Sequence, residues 1–126
     1  MKRLSGGIDV GSEFHHITIL DEEDHILYNQ KVSHRLNEFT ESINLFRKIE
    51  KQERGKISFA LEGKNGYSAP LDRILLNQGF NLYNVDNFKL KRFREAFAGE
   101  WRDDERDSLM LSKMLKLKDH LNSESE

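Results

Sequence analysis

The hydrophobic period of this chain changes between Val32 and Leu36, and that change confines it to a mixed α/β architecture. Before it, apolar residues alternate with polar ones: Ile8 and Val10, then Ile17 and Ile19, then Ile26 and Tyr28 in a run ending near Val32. That is the repeat of half-buried strands. Gly11-Ser12 and the stretch 21–24 are short polar connections, as antiparallel hairpins require, so the sheet begins as a meander. After it, Leu36, Phe39, Ile43, Phe46 and Ile49 recur at steps of three and four, with Glu38, Glu41, Arg47, Lys48 and Glu50 between them. This predicts an amphipathic helix closed near Gly55.

Residues 57–61, Ile-Ser-Phe-Ala-Leu, form a short apolar run predicted to be a buried central strand, with Glu62 at its end. Pro70 suits the first turn of a second helix, whose Leu71, Ile74 and Leu75 supply a buried stripe before Gly79. Residues 80–85 read as a fifth strand. Two helical stretches follow, one carrying Phe88, Phe93 and Phe97 among basic residues, the other running from about Asp104 to Leu117. The expected order is β-β-β-α-β-α-β-α-α in one α/β domain over residues 1–121, with a disordered tail at 122–126. Right-handed crossovers would bring the fourth and fifth strands beside the first. Ligands in such sheets sit at the carboxyl ends of central strands.

With 126 residues the chain can bury one core of ordinary size. Twenty Lys and Arg against 22 Asp and Glu leave a net charge of -2, so a case for a polyanionic partner must rest on local charge. Absence of Cys removes thiolate metal sites and disulfides, which fits a reducing interior. No apolar stretch reaches the ~18 residues that span a bilayer, so the expectation is a soluble cytoplasmic protein with no membrane partner.

Four acids stand in places where a lone charge is costly. Asp9 lies in Gly-Ile-Asp-Val-Gly-Ser, flanked by residues that seek burial, and Glu62 follows a buried strand directly. Asp104 and Asp107 are three residues apart, and Leu111 and Met114 continue the same helical stripe. Converging carboxylates repel unless cations compensate them, and oxygen-only ligands suit Mg²⁺ or Mn²⁺, in this case two ions. Such a pair can activate a water or hydroxyl and stabilise the leaving oxygen of a phosphodiester. Each acid alone also has a plain reading: Asp9 as a turn-maker, Asp104 as a helix cap with Asp107 completing a capping box.

At these residues the chain resembles the bacterial insertion-sequence transposases of the DEDD type, the IS one-hundred-ten group, which includes related pilin-gene invertases. The matching features are Gly7-Ile8-Asp9-Val10, Leu61-Glu62-Gly63 followed by Gly66-Tyr67, the segment 91–96, and Asp104-Glu105-Arg106-Asp107. The last resembles the family's K-T-D-x-x-D-A signature, with Arg102-Asp103 in place of Lys-Thr and Ser108 in place of Ala. The resemblance implies a ribonuclease-H-like fold of the RuvC type, with the acidic tetrad on Asp9, Glu62, Asp104 and Asp107. It also implies cleavage and rejoining of DNA during transposition with Mg²⁺, a guide RNA encoded by the element, and a homo-oligomer of the full-length protein. Family members are similar to this chain only in their first domain and continue into a second, which carries a serine nucleophile. The expectation is therefore one half of a composite active site.

Lys89, Lys91, Arg92 and Arg94 crowd one segment, and Lys64 follows Glu62; these are the candidate phosphate contacts. The interleaved phenylalanines are expected in the core. His15 and His16 are adjacent strand residues facing opposite sides and so cannot readily chelate one ion; they and His25 are expected at a surface or edge. Two rivals remain. Gly-Ile-Asp-x-Gly-Ser also opens actin-like sugar kinases and ATPases, which need an adenosine-binding domain too large for this length. The other is a nucleic-acid-binding module without catalysis.

Overall fold

Alternation in the first third of the chain builds three strands: β1 (Lys2–Asp9), β2 (Phe14–Leu20) and β3 (Ile26–Ser33). The 3.6-residue repeat then builds α1 (Leu36–Glu53), followed by β4 (Gly55–Glu62), α2 (Ala69–Asn77), β5 (Asn81–Val85), α3 (Asn87–Ala96) and α4 (Asp107–Asn122). The computed structural model describes residues 1–62, 69–96 and 107–122. Lys64 and Asp104 therefore lie outside the described residues, as do Phe97, Trp101 and most of the predicted tail.

The five strands form one mixed sheet in the order β3-β2-β1-β4-β5. β1 pairs antiparallel with β2, and β2 with β3, while β4 runs parallel to β1 and β5 parallel to β4. Only β4 lies beside β1; β5 lies beyond it, because β1 is already paired on its other side with β2 and only the far edge of β4 is open. Helices cover both faces. On one, α1 and α2 bury Phe39, Ile43, Phe46, Leu71 and Leu75 against Leu4, Ile8, Ile17, Ile19 and Phe59. On the other, α3 and α4 bring Leu90, Met110, Leu111 and Leu115 onto Ala60. This is the five-stranded, helix-flanked architecture of the ribonuclease-H-like fold.

Two local features refine the sequence expectation. Strand β1 starts at Lys2 and stops at Asp9, with Val10 past its end. It is buried on both faces, and its middle reads Ser5-Gly6-Gly7, so alternation conceals half of it. Helix α1 is closed by Arg54 in the left-handed conformation (φ 55°), with Gly55 already in β4. The glycine is there for proximity: a Cβ on it would stand 2.9 Å from both Lys2 O and Leu4 Cγ. Pro70 in the first turn of α2 and Gly79 (φ 86°) after it fall as expected. Among the described residues no helix is long and apolar enough to cross a membrane.

Candidate metal centre at the carboxyl edge of the sheet

Strand register decides which acids share a face. Gly7 pairs with Ala60 and Ile8 with Leu61 across the parallel β1–β4 ladder, so Asp9 and Glu62 come one step later, side by side at the carboxyl ends. Ile8 and Leu61 belong to the core under α1, whereas Ala60 belongs to the core under α4. Alternation therefore turns Asp9 and Glu62 toward α4.

Helix α4 brings the third acid to the same edge. Gly7 is so close to it that a Cβ would stand 1.9 Å from Ser108 O and 2.7 Å from Ser112 N. A polar seam fixes its position. The hydroxyls of Thr18 and Ser108 hydrogen-bond at 2.8 Å, and the Ser112 hydroxyl is shared between Thr18 O and Ser108 O, each at 2.9 Å. Both serines are fully buried, so these hydroxyls meet the demand that buried polar groups be paired. Farther along, Lys116 Nζ donates to Asp24 Oδ1 at 2.8 Å, in the turn between β2 and β3. That turn lies at the amino-terminal half of β1, since Leu20 pairs with Ser5. Helix α4 thus runs antiparallel to β1, and its first residue, Asp107, lies at the end where Asp9 and Glu62 stand.

Asp107 and Met114 are half-buried, flanking the seam of Ser108, Leu111, Ser112 and Leu115 that meets the sheet. Leu111 lies in the contact as predicted, while Asp107 and Met114 flank it, because serines that read as polar surface form half of it. Asp9, Glu62 and Asp107 are brought to one edge, and each takes part in an interaction. Among the described residues, no three His, Asp or Glu side chains are gathered closely enough to hold an ion.

An open cleft of about 250 Å³ adjoins Asp9, bounded by the turn after β1, by Phe14 and by His16. Two histidines fix that turn. His34 Nε2 donates to Gly11 O at 2.8 Å, and Gly11 N–H donates to His15 Nδ1 at 3.3 Å. The two rings are 4.2 Å apart. Burial, then the neighbouring His34, holds the His15 imidazole down at about 4. His15 and His16 do face opposite sides, but both are buried, 0% and 8% exposed, contrary to a surface or edge position. The reason is topological: β2 lies inside the sheet, between β1 and β3. His25 is the exposed one, held by Asp21 across the turn at 2.9 Å.

Helix α3 starts at the same edge, directly after β5, whose Val85 pairs with Glu62. Asp86 caps it by accepting from Lys89 N–H at 2.7 Å. Lys89, Lys91 and Arg92 are exposed, and Leu90 is the residue that anchors the helix. Phe88 is 65% exposed, with the Arg92 guanidinium 4.9 Å over its ring, so it is not a core residue as expected. Arg94 also lies on α3.

A family model described as a transposase, of the DEDD IS110 type, matches residues 6–126. No curated protein matches the chain significantly. The match takes in the second half of β1 and every later element, including both acid-bearing strand ends and α4. The chain belongs to the IS110-type DEDD transposase family.

Proposed function

We propose that this domain carries out metal-dependent DNA strand cleavage and transfer in transposition, with Asp9, Glu62, Asp104 and Asp107 as the acidic set around Mg²⁺ or Mn²⁺. The observation that carries the reading is the placement of Asp9 and Glu62 on one face, at the carboxyl ends of adjacent parallel strands. Hard oxygen donors of this kind fit such cations. Asp9 and Glu62 would hold such a cation, which would supply Lewis acidity to a water nucleophile and to the leaving phosphate oxygen. The chain's own groups do the rest. Asp9 and Glu62, fixed on strands rather than loops, hold one orientation, and the histidine-pinned turn walls the cleft beside them. The exposed cations of α3 grip the DNA backbone at the same edge.

Asp9→Asn and Glu62→Gln each remove one carboxylate charge while keeping the side-chain shape. With Mn²⁺ well above its Kd, the parent should melt several degrees higher and both variants should lose that gain. An undiminished metal response in both would overturn the reading. DNA binding that survives Asp9→Asn without any cation response would favour a binding module of the same fold.

Lys91 and Arg92 supply a separate expectation. Replacing both by Ala should weaken DNA binding uniformly across sequences and reduce the slope of log K against log salt by about 2, as measured by fluorescence anisotropy at several salt concentrations.

A further inference from the structure

His16 is the cross-strand partner of Asp9. Directly opposed residues in an antiparallel pair project to the same side, and both line the cleft at the carboxyl edge. The imidazole is more than nine-tenths buried. Its Nε2 is hydrogen-bonded to Asn29 Oδ1 on the neighbouring strand. An amide oxygen only accepts, so Nε2 carries the proton and Nδ1 is left with a bare lone pair. That Nδ1 is buried and meets no hydrogen-bond partner among the described residues.

A buried acceptor without a partner costs free energy, and natural structures seldom leave one without a use. Here the ring is oriented by a side-chain oxygen on one nitrogen, the other nitrogen is bare, and the residue opposite in the ladder is a carboxylate. Metal-binding histidines have this arrangement, since the outer hydrogen bond selects the tautomer and raises the basicity of the ligating nitrogen.

We propose that His16 Nδ1 joins Asp9 as a nitrogen ligand of the cation, so that the site takes Mn²⁺ in preference to Mg²⁺. The inference rests on the cation reading above and adds to it a donor of different chemistry. Mg²⁺ holds its water and oxygen ligands and gains little from an imidazole, whereas transition metals accept one readily. Asn29 is then a positioning residue, exposed on β3 and acting through the ring.

The test is Mn²⁺ and Mg²⁺ binding by the 126-residue chain, measured by calorimetry with circular dichroism to confirm folding. His16→Phe keeps a ring in the space and removes the ligand. It should weaken Mn²⁺ binding about tenfold or more and leave Mg²⁺ binding nearly unchanged. Asn29→Leu should weaken Mn²⁺ in the same direction. If His16→Phe does not fold, the parent protein still decides. With nitrogen-15 histidine labelling, saturating Zn²⁺ should move the His16 Nδ1 resonance away from that of a bare imidazole nitrogen. An unmoved resonance overturns the proposal. Mn²⁺ affinity that is unchanged in His16→Phe but lost in Asp9→Asn overturns the histidine assignment and leaves the carboxylate site standing. Unchanged affinity in both variants overturns both.

Discussion

Gly7→Ala is expected to cost about 3 kcal/mol or more and to push α4 off the sheet. The added methyl would stand 1.9 Å from Ser108 O and 2.7 Å from Ser112 N, both backbone atoms of a helix that cannot yield locally. Relief requires moving the helix. That breaks the Thr18–Ser108–Ser112 hydroxyl seam and leaves hydroxyls buried without partners. Gly79→Ala is the natural control. Its backbone has φ 86° with nothing within 4 Å of a new Cβ, so the expected loss is only the ~1 kcal/mol of a strained left-handed residue. Urea denaturation of the two variants gives the comparison. A Gly7→Ala protein as stable as the parent would refute the docking described for α4. Since Asp107 opens that helix, the variant should also lose its melting response to Mn²⁺, while Gly79→Ala keeps it.

Acidification is expected to remove about 3 kcal/mol of stability through His15 alone. The imidazole titrates at about 4 in the folded protein against 6.5 when unfolded. Between those values the unfolded chain binds a proton that the folded chain refuses, so stability falls as pH falls. The contribution is complete above about pH 6.5, declines through the window and is gone below about pH 4. Protonation would also end the acceptance of Gly11 N–H by His15 Nδ1 and set a charge beside His34, so the turn flanking Asp9 should loosen first. Urea midpoints at intervals from pH 7.5 to 4.5 measure the effect. His15→Gln, which does not titrate here, should flatten the profile in that window. A profile of unchanged steepness would place the acid sensitivity elsewhere.

Most of the fold is legible in the sequence because its signals are local. Alternation marks β2 and β3, the three- and four-residue repeat marks α1, and Pro70 and Gly79 bound α2, each within a few neighbouring residues. Strand β1 is half concealed for a reason found elsewhere in the chain. Its Gly7 is small because α4 lies on it, and Gly7 alone cannot announce a helix a hundred residues away. The same distance hides α4's own contact face. Ser108 and Ser112 look like solvent-facing polar residues until Thr18, ninety positions earlier, supplies their partner. Likewise Phe88 looks like core until Leu90 is seen to take that role.

The candidate site divides along the same line. That Asp9 and Glu62 are unusual could be read from their apolar flanks, since burial of a carboxylate carries a cost wherever it occurs. That they face the same way could not, because one step of register would send one of them to the opposite face. Pairing of Ile8 with Leu61 decides it. Adjacent strand residues diverge, which argues against His15 and His16 chelating one ion together. The divergence is real, and it is what turns His16 toward Asp9 while His15 goes to the turn. By itself, then, the sequence determined the elements, their order and the acids that resist burial, all set by short-range preference and residue chemistry. Tertiary structure decided which faces those acids share and which histidine stands beside them, because register and helix docking depend on contacts between residues far apart in the chain.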